Sequence, residues 1–295
     1  MLKTRIITAL ILVSLVVFTT FYLEPVWFLF ISSLFIFISI WEWFKLFPRR
    51  NKDHMYWLIP ILYFYALEPF VLGTLPITAV GFFERSVVIF QIFFIPLVLF
   101  WVIIAPLVII DKEKYPRLEI VISHRGTFCN FFLGNFLLWG MWLILVNLLF
   151  YNPYILLLLF LIIWSADIGA YFSGKKYGKH MLASNISPNK TWEGVAGGLV
   201  AGISTTFLAL YFFEEFLGVD MMQASSVKLI LLSSVTVIFS IIGDLFISTI
   251  KRNAEKKDTG ALFPGHGGVL DRIDSLIAGS VAFYFCGIDF FLFGF

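Results

Sequence analysis

Apolar runs of about twenty residues, separated by short polar segments, repeat along the entire 295-residue chain. That length crosses ~30 Å of hydrocarbon as a helix. Nine such runs are predicted to span a membrane, at roughly 6–22, 26–47, 55–76, 87–110, 128–150, 153–173, 191–213, 227–250 and 275–294. The third is interrupted by Pro60, Glu68 and Pro69. The first follows Lys3 and Arg5 but has no small-residue cleavage pattern, so it reads as a retained span rather than a signal peptide. The expected fold is an all-α polytopic membrane protein with a polar funnel open to the cytoplasm. Residues 1–126 carry four spans, and 127–295 form the C-terminal catalytic region.

Composition agrees with this pattern: only 14% of residues are charged, against about 25% in soluble domains. The placement of the bases then orients the chain. Of 21 Lys and Arg, 19 fall at 1–5, Lys45, 48–54, 111–126, 174–190 and 251–272, whereas only Arg85 and Lys228 fall on the opposite side. Basic loops stay inside, so the topology is N-in and C-out and the long polar loops are cytoplasmic. The expected location is a cytoplasmic (inner) membrane. Cys129 and Cys286 form no metal-like spacing.

Against this background a few carboxylates stand out. Asp167 lies in the sixth run and Asp244 in the eighth, each eight residues before a base, Lys175 or Arg252. At 1.5 Å per residue both acids sit roughly 12 Å deeper than those bases. Acids at membrane depth are costly and normally face a polar interior. Asp244, Ser248, Lys251 and Arg252 share one helix face by their i, i+4, i+7/i+8 spacing; Asp167, Tyr171 and Lys175 share another. Structural hydrogen bonding of the acids and snorkelling of Lys251 and Arg252 are the competing readings.

Two polar loops add to the picture. In "FPGHGGVLDRIDSL", residues 263–276, Asp271 and Asp274 are three apart. Paired hard carboxylates suit Mg²⁺ that also holds phosphates. Gly267 and Gly268 offer backbone N–H groups to an anion, and His266 offers a hydrogen bond. An Asp ahead of an apolar run also fits a helix N-cap. In "SPNKTWEG", Ser187 reads as a cap with Pro188 in the first helical turn, which projects Lys190 from a helix N-terminus. Bases, glycines, an acid pair and two intramembrane acids together point to phosphates and a divalent metal at a membrane surface. No Walker loop, zinc cluster or serine triad is present.

The stretch from Ser248 to Ser275, "SxxKRxxxxKDxGxxFPGHGGxLDRxDS", resembles the signature of phosphatidate cytidylyltransferases (CDP-diacylglycerol synthases). "ADxGAYxxGxxxGKHxL…SPNKTWEG", Ala166 to Gly194, and "WEW" at 41–43 resemble bacterial members of the same family. Ile168 and Ala183-Ser184 depart from its usual residues. The resemblance implies transfer of CMP from CTP to phosphatidate, with Mg²⁺ held by Asp244, Asp271 and Asp274, K⁺ as a second cation, and a homodimer among membrane lipids. It implies catalytic roles for Lys251, Arg252 and His266 beside those acids. It implies substrate-binding roles for Asp167, Tyr171, Lys190, Ser248, Lys257, Asp258, Gly267, Gly268 and Arg272. No nucleic-acid partner is expected. Lys190, Lys251, Arg252, Lys257 and Arg272 are assigned to phosphates, and His266 to donating a hydrogen bond rather than abstracting a proton. Two alternatives stay open: a CTP-dependent lipid kinase of the polyprenol or phytol type, which would move the γ-phosphate, and an ion-coupled transporter using Asp167 and Asp244. The transporter predicts repeat halves with paired broken helices, a pattern the sequence does not display.

Overall fold

A computed structural model of the protein describes residues 2–47, 94–114, 127–218, 225–262 and 267–289. The expected span at 55–76 and His266 lie outside the described residues. The described elements are α1 (Leu2–Phe21), α2 (Pro25–Lys45), a π-helical turn (Phe100–Ile104) continuing into α3 (Ala105–Lys114), α4 (Thr127–Tyr151), α5 (Pro153–Tyr177), β1 (Met181–Ala183), β2 (Ser187–Thr191), α6 (Trp192–Leu217), α7 (Ser226–Asn253) and α8 (Leu270–Asp289). Five helices among the described residues are long and apolar enough to cross a membrane: Pro25–Lys45, Phe132–Tyr151, Pro153–Tyr177, Trp192–Leu217 and Ser226–Asn253. The described parts of the expected runs at 6–22, 87–110 and 275–294, namely 6–22, 94–110 and 275–289, fall mostly on helices as well.

The helix ends follow local chemistry. Pro153 stands in the first position of α5, where its missing N–H costs nothing, and the Asn152 side chain accepts from Tyr154 N at 2.9 Å. Helix α6 ends at Gly218, whose φ of 64° is a left-handed cap that glycine adopts without strain.

In hydrocarbon, apolar surface gives helices little reason to associate, so small residues and interhelical hydrogen bonds decide the packing. A Cβ on Gly197 would collide with the Ser173 side chain, and one on Gly169 with Ala201, so α5 and α6 run against each other almost backbone to backbone. Thr206 and Ser233 share a 2.7 Å hydrogen bond between α6 and α7. On the other side, Trp43 Nε1 donates to Asn130 O at 2.9 Å and Trp142 Nε1 donates to Ser32 Oγ at 2.9 Å, which fixes α2 to α4 at two levels. The core between these contacts is apolar, with Trp43, Trp101, Phe246 and Phe283 fully enclosed.

One expectation is corrected here. The loop before α6 is an antiparallel hairpin, β1 with β2, so the chain is not helical throughout. Ser187 opens β2 and is not the helix cap. Thr191 takes that place, its Oγ1 accepting from Gly194 N at 3.1 Å. Pro188 therefore lies in a two-stranded sheet, where a proline is tolerated on an edge strand. Lys190 is a strand residue one position before the cap, rather than a first-turn helical residue.

Candidate active site

Helix α7 is the spine of the site. Its residue Gly243 lies against the backbone of α8, where an added Cβ would meet the carbonyl oxygen of Asp274. That close approach sets Asp274 beside Asp244, the next residue on α7. Across from them, the backbone contact of α5 with α6 brings Asp167 within electrostatic reach of Asp244 and Asp274. Lys190, Lys251 and Arg272 supply the facing positive charge. The two intramembrane acids that the spacing placed at equal depth do converge.

Lys190 reaches the cluster because the hairpin is clipped at three points. His180 Nδ1 lies 2.7 Å from Glu193 Oε1 in the first turn of α6. Thr191 caps α6. Arg252 Nε donates to Ile186 O in the hairpin turn at 3.1 Å. With the hairpin held, Lys190 Nζ sits 2.6 Å from Asp244 Oδ2, and Ser248 Oγ donates to Asp244 Oδ1 at 3.2 Å. Both partners of the Lys190–Asp244 pair keep about a quarter of their side-chain surface accessible, so the pair faces open space rather than a sealed core.

The signature loop is bound more tightly. Lys251 Nζ is 2.8 Å from Asp271 Oδ1, and this pair is buried. Asp271 Oδ2 accepts from Thr259 N at 2.8 Å, Thr259 Oγ1 at 3.0 Å and Gly268 N at 2.9 Å. Asp271 is the second residue of α8 rather than its N-cap, and its carboxylate reaches back to N–H groups ahead of the helix. Gly267 has φ 78°, and a Cβ there would strike Asp271 Oδ2, so the turn requires glycine. The Gly268 amide, expected to serve a substrate anion, serves an anion of the protein itself.

A second such anion is Glu42, which the sequence reading passed over. It lies near the C-terminal end of α2 and is only 4% exposed. Its Oε1 accepts from Val269 N at 3.1 Å, and its Oε2 accepts from Leu270 N and Thr259 Oγ1, both at 2.8 Å. Gly260 and Gly268 crowd it so closely that a Cβ on either would overlap the carboxylate. Lys256 Nζ donates to Lys45 O, a further link from the end of α2 to the segment after α7. The signal was available: an acid inside an apolar run is a functional candidate by default.

The remaining expected residues are placed as follows. Tyr171 is exposed, its ring 5.8 Å from Lys175 Nζ. Lys257 and Asp258 are exposed in the turn after α7. Arg252 is occupied with the hairpin turn, donating also to Lys256 O at 3.4 Å. Arg272 is exposed and stands outside the three close ion pairs among the described residues.

Among the described residues no group of three or more His, Cys, Asp or Glu is gathered closely enough to hold a metal by itself. Mg²⁺ does not need one, since it binds through one or two carboxylates together with substrate phosphates. Asp244 and Asp274 fit that mode: hard oxygen donors on adjoining helices, neither of them sealed from solvent.

A family model described as "Cytidylyltransferase family" matches residues 3–289. A phosphatidate cytidylyltransferase of Haemophilus influenzae is 34% identical over 292 residues, covering 94% of this chain and 96% of the relative. One of Pseudomonas aeruginosa is 34% identical over 281 residues, covering 94% of each. One of Bacillus subtilis is 44% identical over 116 residues, 39% of this chain and 40% of the relative. With the match running through both the membrane helices and the acid–lysine cluster, the chain belongs to the cytidylyltransferase family.

Proposed function

We propose that the enzyme transfers the cytidylyl group of CTP to phosphatidate at the Asp167–Asp244–Asp274 cluster. A lipid phosphate, with its second pKa near about 6, is already an anionic nucleophile at neutral pH. Its oxygen attacks the α-phosphorus of CTP, the bond from that phosphorus to the bridging oxygen of the β-phosphate breaks, and pyrophosphate leaves with the electron pair. CDP-diacylglycerol is the other product. No strong base is needed; the work is to bring two polyanions together and hold them in line.

The observation that carries the reading is the Lys190–Asp244 pair at 2.6 Å, flanked by Lys251 and Asp274. Lys190 and Lys251 are held in place by carboxylates before any phosphate arrives, so little rotamer freedom remains to be lost on binding. Asp244 and Asp274 are assigned to Mg²⁺, which when bound supplies positive charge to the triphosphate. Asp271 has both oxygens filled, by Lys251, the Thr259 and Gly268 N–H groups and the Thr259 hydroxyl whose one proton it shares with Glu42, and joins that set only in exchange for Lys251. His266 is assigned a hydrogen bond to phosphate.

The finer topology belongs to the same reading: nine spans, N-in and C-out, in the inner membrane of a bacterium, with the cluster open to the cytoplasm where CTP is dissolved. The purified protein is tested with Mg²⁺, phosphatidate and CTP labelled at either the α- or the γ-phosphate. Label from the α-position in a liponucleotide is the expected result. Label from the γ-position in a lipid phosphate would establish the lipid kinase instead.

A further inference from the structure

Beside the acid–lysine cluster lies a partly open cavity of about 430 Å³ lined by α1, α2, α4, α5 and α8. Its two ends differ. At one end stand Asp167 and Arg272; at the other are Phe28, Leu145 and Phe160. Phe160 precedes Asp167 by seven residues on the same helix, so the cavity extends roughly 10 Å from the charged end into apolar surroundings. That is about two-thirds of the ~15 Å of hydrocarbon in one leaflet. The walls are mostly apolar, and Thr19, Ser32 and Trp142 along them are already engaged. Ser32 Oγ accepts from Trp142 Nε1 and donates within its own helix to Phe28 O at 2.6 Å, and Thr19 donates to Leu15 O at 2.8 Å.

The occupant that fits must be apolar for most of its length and anionic at one end. Water gains little in a mostly apolar space where Thr19, Ser32 and Trp142 already have partners. A nucleotide would leave its base and ribose hydroxyls without partners along these walls. Arg272 at the mouth, exposed and in no ion pair among the described residues, favours a phosphate. Lys190, like Arg272, lies within electrostatic reach of Asp167.

The geometry points to this cavity as the seat of one acyl chain of the phosphatidate, with Arg272 receiving the lipid phosphate and Phe28, Leu145 and Phe160 limiting how far the chain reaches. The inference rests on the cytidylyl-transfer reading and adds to it the residues that set acyl-chain length. It places the lipid phosphate at the Asp167–Arg272 mouth, and so next to the Asp244 cluster. The glycerol and second chain are left on the membrane side.

Two opposite changes at the far end test it, both remote from the charged cluster. Leu145→Trp fills the end of the cavity, and Phe160→Ala lengthens it. One methylene more or less in a hydrophobic pocket changes specificity roughly ten-fold or more. Leu145→Trp is therefore expected to lower kcat/KM for dioleoyl relative to dioctanoyl phosphatidate by at least about ten-fold, with the KM for CTP unchanged. Phe160→Ala is expected to move the same ratio the other way. Stabilisation of each protein against heating by the two lipids, without CTP, provides a readout that does not depend on turnover. Turnover with an unmoved chain-length ratio in both variants overturns the acyl site, and the cavity then holds bulk lipid. Chain-length-dependent stabilisation that shifts with the variants, in a protein that transfers no cytidylyl group, upholds the acyl site and overturns the cytidylyl reading instead.

Discussion

Replacing Glu42 by glutamine exchanges one oxygen for an amide nitrogen and leaves the side chain's size unchanged. In the parent, three donors converge on the carboxylate: Val269 N on Oε1, and Leu270 N with Thr259 Oγ1 on Oε2. The glutamine does best with its oxygen in the Oε2 position, which sets its NH₂ against the Val269 N–H. One buried donor then loses its acceptor, at about 1–3 kcal/mol. The two surviving bonds fall from charge-assisted to neutral, roughly 1 kcal/mol each. The negative charge at the start of α8 is also gone, worth about 0.3–1 kcal/mol. These contributions sum to roughly 3–6 kcal/mol, and about half of that, expressed at the site, is roughly ten- to a hundred-fold in rate. The displacement falls on Asp271 and Asp274, which occupy the first turns of α8. Glu42→Gln is therefore expected to lower kcat between ten- and a hundred-fold while the protein still elutes as a single folded species. Glu42→Asp, which keeps the charge on a shorter stem, should recover part of that loss. Parental kcat in Glu42→Gln would refute the reasoning. So would equal losses in both variants with aggregated protein, since Glu42 would then serve bulk packing alone.

Asp244→Asn and Asp274→Asn are each expected to reduce kcat at least about a hundred-fold and to raise the Mg²⁺ needed for half-maximal rate. The double variant should cost little more than either single change, because groups that act as a unit are non-additive; rates multiplying independently would separate the two acids. In a background without Cys129 and Cys286, a cysteine at Asn253, the last residue of α7, should resist impermeant thiol reagent on intact cells and react in inverted vesicles. Reaction from outside the cell would reverse the topology.

What could be read from the residues alone follows the range of the interactions involved. The helices at 25–45, 153–177, 192–217 and 226–253 are set by hydropathy, a property of consecutive residues, and each falls within a few positions of its expected span. Asp244 is legible because a charge in an apolar run stands out without knowledge of its partner, and Asp274 because it stands three residues from Asp271. Glu42 belongs to the same class as Asp244, yet its role depends on donors 217, 227 and 228 positions away. No local pattern encodes those. The hairpin escaped for a different reason: Ser187-Pro188 is a good helix start by local rules. What overrides it is pairing with Met181–Ala183 and the Arg252 bond to Ile186 from 66 residues downstream. Arg252 was likewise legible as a base near the site but not as a support of the hairpin.

The carboxylates fall into two groups by what surrounds their oxygens. Glu42 and Asp271 are buried, and their oxygens are filled by backbone N–H groups, the Thr259 hydroxyl and Lys251. Fixed dipoles of this kind compensate a charge that water cannot reach. Asp167, Asp244 and Asp274 lie within electrostatic reach of one another and keep surface open. Like charges at close range in a poorly polarisable setting repel strongly, and Lys190, Lys251 and Arg272 offset that repulsion. The first group ties Thr259 and Gly268–Leu270 together, and the second keeps its carboxylates accessible. Both are needed because the substrates are themselves polyanions. A loop organised only by its ligands would have to order itself each time two negative molecules approached a negative cluster. With Glu42 and Asp271 bound by the protein's own donors, that ordering is complete before the substrates meet, and Lys190 and Lys251 are already in place beside the cluster.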